Sequence, residues 1–162
     1  MKRRRKPFPR PKTLPEFFER EEQFWQELLA SWEGLPEEAF FQPGACGPEW
    51  TIKDTMNHIL VWQEAALRIL PMLARGEKAA LGMGTERFNA QEYLRHKDVS
   101  LDETLRNLMA TRRKLLDLIA TLPESQVLDV DGRIGWWVKY NTYDHYAQHL
   151  YDLQTFRQMY QS

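Results

Sequence analysis

A chain of 162 residues, 43% hydrophobic and 12% aromatic, has the length and apolar content for one domain with its own core, which excludes a disordered or fibrous protein. No apolar run approaches the roughly 18 residues of a membrane span, and the basic N-terminus lacks the apolar stretch of a secretory signal. The net charge of −1 hides an uneven distribution: seven Lys/Arg fall in residues 1–12, leaving 15 basic against 23 acidic residues in the rest, an acidic body poorly suited to a nucleic-acid groove.

Residues 1–12 (MKRRRKPFPRPK) read as a basic, disordered, solvated arm broken by Pro7, Pro9 and Pro11, with residues 13–162 forming one domain. The first helix is expected from about Leu14, with Thr13 as N-cap and Pro15 in the first turn. Phe17, Phe18, Phe24, Trp25, Leu28, Leu29 and Trp32 recur mostly three and four apart, the period of a buried stripe, until Gly34 and Pro36. A loop through Pro43, Gly44, Gly47 and Pro48 carries Cys46. This sole cysteine can make no internal disulfide or zinc-finger framework, fits a reducing cytoplasm, and is expected to be buried and inert.

The second helix opens at Thr51, with Asp54 placed to favour its positive end. Ile52, Met56, Ile59, Ala66, Ile69, Leu70 and Leu73 form its apolar stripe, and Pro71 is expected to kink or end it. Residues 76–88 read as a mobile loop, and Asn89 with Glu92 as the capping pair of a short extra helix to Asp98. Ser100 and Glu103 form a capping box for the next long helix, whose seam runs Leu101, Leu105, Leu108, Arg112, Leu115, Ile119, Leu122 up to Pro123. Residues 124–140 show no helical period and read as a loop with a short hairpin. The last helix runs from Asn141 or Thr142 to near Gln158, burying Tyr143, Tyr146, Leu150, Leu153 and Tyr160. The expected fold is therefore all-α: a four-helix bundle with a long crossover and a short extra helix.

His145 and His149 are one helical turn apart, so their rings stack on one face with Cβ atoms roughly 5–6 Å apart and can share one ion. His58, in the second helix, supplies a third imidazole, and three nitrogens leave an ion with open positions, as in catalytic sites. Imidazole suits zinc, nickel, iron and copper, and affinity alone does not choose among them. Asp152 follows His149 by three residues and is placed to orient it; Gln63 and Glu64 lie beyond His58 as water-orienting candidates, Glu64 being the better fit to an exposed face. Arg112 interrupts a leucine seam and needs a partner, either a buried acid or an anionic substrate group. Arg157 falls near a helix end, where its head can snorkel out. Trp136, Trp137, Tyr140, Tyr143 and Tyr146 crowd the histidine pair; most should be packing, with one or two at the pocket mouth and a hydroxyl such as that of Tyr143 available as acid or base. His96, between Arg95 and Lys97, reads as exposed.

Trp50-Thr51-Ile52-Lys53-Asp54 followed by His58, with His145-x-x-x-His149 near the C-terminus, resembles the DinB-like superfamily over roughly residues 14–160. Cys46-Gly47-Pro48-Glu49-Trp50, Arg87-Phe88-Asn89, Thr111-Arg112-Arg113 and Thr142-Tyr143-Asp144-His145-Tyr146 make it look most similar to the ClbS/DfsB branch. The resemblance implies a metal-binding bundle with His58, His145 and His149 as ligands to zinc, nickel or iron. It further implies hydrolysis, or group transfer with a low-molecular-weight thiol, on an electrophilic small molecule in detoxification or resistance. The alternative is a non-catalytic metal-binding or structural bundle. A cytoplasmic homodimer with no membrane partner is expected in either case, with nucleic-acid contact confined to the basic arm.

Overall fold

The structure, a computed structural model, describes residues 8–162. Its elements in chain order are α1 (Leu14–Ala30), a 3-10 turn (Glu37–Phe41), α2 (Ile52–Ala74), α3 (Thr85–His96), α4 (Leu101–Ala120), α5 (Glu124–Leu128), α6 (Arg133–Tyr140) and α7 (Tyr143–Gln161). The four long helices form two pairs, α1 with α7 and α2 with α4, while α3 and α6 pack on α2. Among the described residues there is no strand, and no helix is long and apolar enough to cross a membrane.

Local chemistry explains most boundaries. Thr13 Oγ1 accepts from the Glu16 amide at 3.2 Å, and Thr51 and Asp54 make a reciprocal capping box with both bonds at 3.0 Å. Ser100 Oγ likewise accepts from the Glu103 amide. At the other end of α1, Arg157 does not snorkel into solvent: its Nη1 donates to the carbonyl of Ala30, the last residue of the helix, and to that of Glu33 in the turn that follows. Lys53 does the same for α3. Only 5% exposed, its ammonium donates to the carbonyls of Lys97 and Val99 at 2.8 Å and His96 at 3.4 Å, fastening α3 to α2 by its negative end.

Several sequence expectations give way to tertiary packing. Pro71 lies inside α2, which continues to Ala74, because the fully buried Ile69 and Leu70 hold that turn in the core. The short extra helix starts at Thr85, not Asn89; the Asn89 side chain caps nothing and instead accepts from Trp62 Nε1 at 2.9 Å. The expected loop and hairpin over 124–140 is two short helices. Ile134, Trp137 and Val138 give α6 a helical stripe too short to stand out from sequence, and Gly135 lets α6 press on the chain leaving α5. Thr104 and Thr111 join Leu108, Leu115 and Ile119 on the buried face of α4, so Leu101, Leu105 and Arg112 sit at its margin. Tyr160 is half-buried.

Residues 1–7 of the expected basic arm lie outside the described residues. Residues 8–12 lie against the body: Phe8 meets Phe24 edge-on at 4.8 Å, Arg20 donates to the Pro9 carbonyl, and the Lys12 amide donates to Glu16.

Candidate metal centre

Helix α2 carries His58, and α7 carries His145 and His149 one turn apart. Where the two helices approach, the three rings form a nearly equilateral triangle, with centroids 4.9, 5.1 and 5.0 Å apart. One ring nitrogen from each lies within 4.8 Å of the others, and His145 Nε2 is 3.0 Å from His58 Nε2. His145 is only 6% exposed, whereas His58 and His149 are half-buried.

Burial holds all three rings neutral. His58 is pushed down to about 3 by burial, reinforced by His149, and His149 to about 4 by burial alone. His145 is held well below its usual range by burial and by both neighbours. Neutral imidazole is the form that offers a lone pair to a metal. The cluster is also short of partners, since His145 Nδ1 and His149 Nε2 are buried without a hydrogen bond. Each such atom costs roughly 1–3 kcal/mol, and in a satisfied core it would be paired. Two nitrogens bound to one zinc at about 2.0–2.1 Å lie roughly 2.8–3.4 Å apart for octahedral to tetrahedral angles. The 3.0 Å separation of His58 and His145 falls in that interval and the ligand nitrogen of His149 lies within 4.8 Å of both, so the three residues present can gather on one divalent ion.

The cluster has an aromatic side wall. Trp50, just before the α2 cap, meets His58 edge-on at 5.0 Å and stacks on Tyr93 of α3 at 6.3 Å and 14°. Trp50, Tyr93, Asn57 and His58 border a narrow cleft between α2 and α3. Asn57 donates to Thr104 Oγ1, and its buried Oδ1 has no partner. Tyr93 is not expected in this role from sequence, because only the docking of α3 onto α2 brings it to His58, whereas Asn57 precedes His58 on α2 itself.

The other anticipated residues are placed elsewhere. Asp152 is exposed and makes no hydrogen bond to His149, although the two lie only about 60° apart around the helix. Tyr143, two residues before His145, faces the opposite side of α7 and packs against Phe17 and Phe24 of α1, with the Arg20 guanidinium over its ring. Arg112 finds its partner in a buried acid: Nε and Nη2 grip the two oxygens of Glu21 at 2.9 and 2.6 Å, and Nη2 also meets Glu22 at 2.5 Å. Gln63 is buried and donates to the Tyr146 hydroxyl at 2.8 Å, which itself donates to Glu21 at 2.9 Å. Burial, then Glu21, keeps that phenol well above its usual range, so it stays protonated. Glu64 is exposed. Trp136 is exposed beside Tyr140, and Trp137 packs against Trp62, so neither borders the histidines. His96 is half-buried rather than exposed, its Nδ1 2.9 Å from the Glu92 carbonyl. Cys46 is half-buried; burial pushes its thiol up to about 11, a Thr55 hydrogen bond works against this, and Asp152 adds to it.

An all-α bundle with a cluster of three neutral imidazoles between two of its helices is a fold and a site that comparison can place. The sequence profile of the DinB superfamily matches residues 21–152, and the chain belongs to that superfamily. No curated protein sequence matches it. Among solved structures, an uncharacterised protein from Escherichia coli UTI89 superposes with a TM-score of 0.79 at 15% identity, covering 93% of this chain and 96% of that one. The colibactin self-resistance protein ClbS, solved in complex with double-stranded DNA, gives 0.78 at 16% identity over 91% and 96% of the two chains. DfsB, described as a sibling lethal factor precursor, gives 0.75 at 15% identity over the same shares. The fold resemblance to ClbS and DfsB read from the sequence is thus found in three dimensions.

Proposed function

We propose that this protein is a metal-dependent enzyme that disarms an electrophilic small molecule, with His58, His145 and His149 holding one divalent ion. The observation that carries the reading is the triangle of neutral imidazoles itself, in which His145 Nε2 lies 3.0 Å from His58 Nε2 and His149 Nε2 is buried without a partner. Such a cluster is costly for a metal-free protein, and an ion would give the orphaned His149 Nε2 a partner. Zinc, nickel and iron all suit three imidazoles. When bound, the ion would supply a Lewis acid able to activate water or a low-molecular-weight thiol. The chain's own residues do the rest. Burial keeps the imidazoles unprotonated; Trp50 covers the edge of His58 and, with Tyr93, walls the approach from α3. Cys46, expected to be inert, is disfavoured as a nucleophile by its raised pKa, in keeping with an external water or thiol in that role. A resistance or detoxification role is in keeping with ClbS, a self-resistance protein of the same fold.

The test is elemental analysis of untagged protein purified without chelators. About one zinc, nickel or iron per chain is expected, falling to background in His145→Ala. Cobalt-substituted protein should then change its visible spectrum on adding azide or a small thiol. Stoichiometry that survives His145→Ala would refute the assignment, and a cobalt spectrum indifferent to both additions would make the ion structural.

A further inference from the structure

One buried polar chain draws a side chain from each of the four long helices. Arg112 of α4 grips Glu21 of α1 through two hydrogen bonds, Glu21 accepts from the hydroxyl of Tyr146 of α7, and that hydroxyl accepts from Gln63 of α2. Glu21, Gln63 and Tyr146 are fully buried, and the Arg112 guanidinium lies over the Trp25 ring at 4.6 Å. The bundle is built from two helix pairs, α1 with α7 and α2 with α4. Both outer links of the chain cross between those pairs, Glu21 to Arg112 and Tyr146 to Gln63. The histidine cluster crosses the same boundary, from His58 on α2 to His145 and His149 on α7.

How the three imidazoles meet therefore depends on how one helix pair is seated against the other. Apolar packing sets that seating loosely, because it is non-directional and tolerates small slides and rotations. Hydrogen bonds fix distance and angle. Tyr146 adjoins His145, a rise of about 1.5 Å along α7, and Gln63 lies five residues, roughly 7.5 Å, beyond His58 on α2. A displacement at the polar chain is thus passed to the ligand nitrogens with almost no intervening structure. We propose that the Arg112–Glu21–Tyr146–Gln63 chain is the latch that seats the two helix pairs so that the three histidines converge, with Tyr146 and Glu21 as positioning residues. A buried ion pair is weak support for stability but a known means of fixing register. The role in metal binding rests on the function proposed above; the role in ordering the rings does not.

The experiment compares wild type, Tyr146→Phe and Glu21→Gln with Leu122→Ala, a core truncation in the turn between α4 and α5 that serves as a stability control. Cobalt(II) affinity is measured by chelator competition at a temperature where circular dichroism shows every variant folded. Histidine ring resonances are recorded on metal-free protein. Outer partners of metal sites change affinity by about 10–100-fold, so at least a tenfold loss is expected for the two latch variants, against less than twofold for the control. The three imidazoles should each give one ring signal in wild type and broadened or doubled signals in the latch variants. Unchanged affinity and single ring signals in Tyr146→Phe, or an equal loss in the control, would overturn the latch. Should wild type bind no cobalt, the metal assignment fails alone, and the ring signals still decide whether the latch orders the cluster.

Discussion

Replacing His145 by leucine separates a site kept for binding from a residue kept for stability. In metal-free protein the His145 ring is 6% exposed, its Nδ1 is unpaired, and its only close polar contact is the Nε2 of His58, 3.0 Å away. Removing the orphaned nitrogen recovers roughly 1–3 kcal/mol. Leucine is close in volume and apolar, and reshaping the site costs under about 1.5 kcal/mol. Loss of the His58 contact costs about 0.5–1.5 kcal/mol, so the net expectation is a metal-free protein within about 1 kcal/mol of wild type, or roughly 2–4 °C in melting temperature for a chain of this size. Metal content should fall to background in the same variant. The assay is paired calorimetry and elemental analysis, in chelator and in zinc; zinc at 100 times its Kd should stabilise wild type by about 2.7 kcal/mol and leave the variant unmoved. A metal-free variant destabilised by about 2 kcal/mol or more would refute the reasoning, because His145 would then be an ordinary satisfied core residue.

The remaining predictions concern pH and packing. The cluster histidines have folded pKa values depressed below the ordinary 6.5, His149 to about 4 and His58 to about 3, so below pH 6.5 the unfolded chain binds more protons than the native one. Metal-free stability is therefore complete above pH 6.5 and falls as pH drops towards 4, by up to about 1.4 kcal/mol per pH unit for each histidine. Urea midpoints from pH 7.5 to 4.5 should show a shallower fall in His145→Leu, and superimposable slopes would contradict the depressed values. A Cβ on Gly135 would lie 1.9 Å from the Asp129 carbonyl oxygen, so α6 must move off the preceding turn. Gly135→Ala should cost about 1–3 kcal/mol, and a melting temperature within a degree of wild type would show that the contact is not rigid.

Much of the fold was legible because it is written locally. Thr13, the Thr51–Asp54 box and Ser100 cap the helices expected from them, since a cap needs only residues a turn away. Helices α5 and α6 escaped notice because eight residues or fewer give too little periodicity to separate from a loop. The candidate triad was legible for a similar reason: His145 and His149 share a face by spacing alone. Its surroundings were not. Asp152 has the right interval in sequence but stays in solvent without a bond to His149, while Tyr93 reaches the site only because Lys53 and Trp62 dock α3 on α2.

Arg112 marks the division most clearly. A cation in a leucine seam demands a counter-charge, and the amino-acid order alone establishes that demand along with the helices, their caps and the pairing of two imidazoles on one turn. It says nothing of whether the counter-charge is Glu21, ninety-one positions away, or a bound anion. Seating α1 and α7 against α2 and α4 answers that, and the same seating brings His58 to its two partners. Local structure is set by neighbours within a turn, whereas these meetings are set by which faces the whole chain buries together.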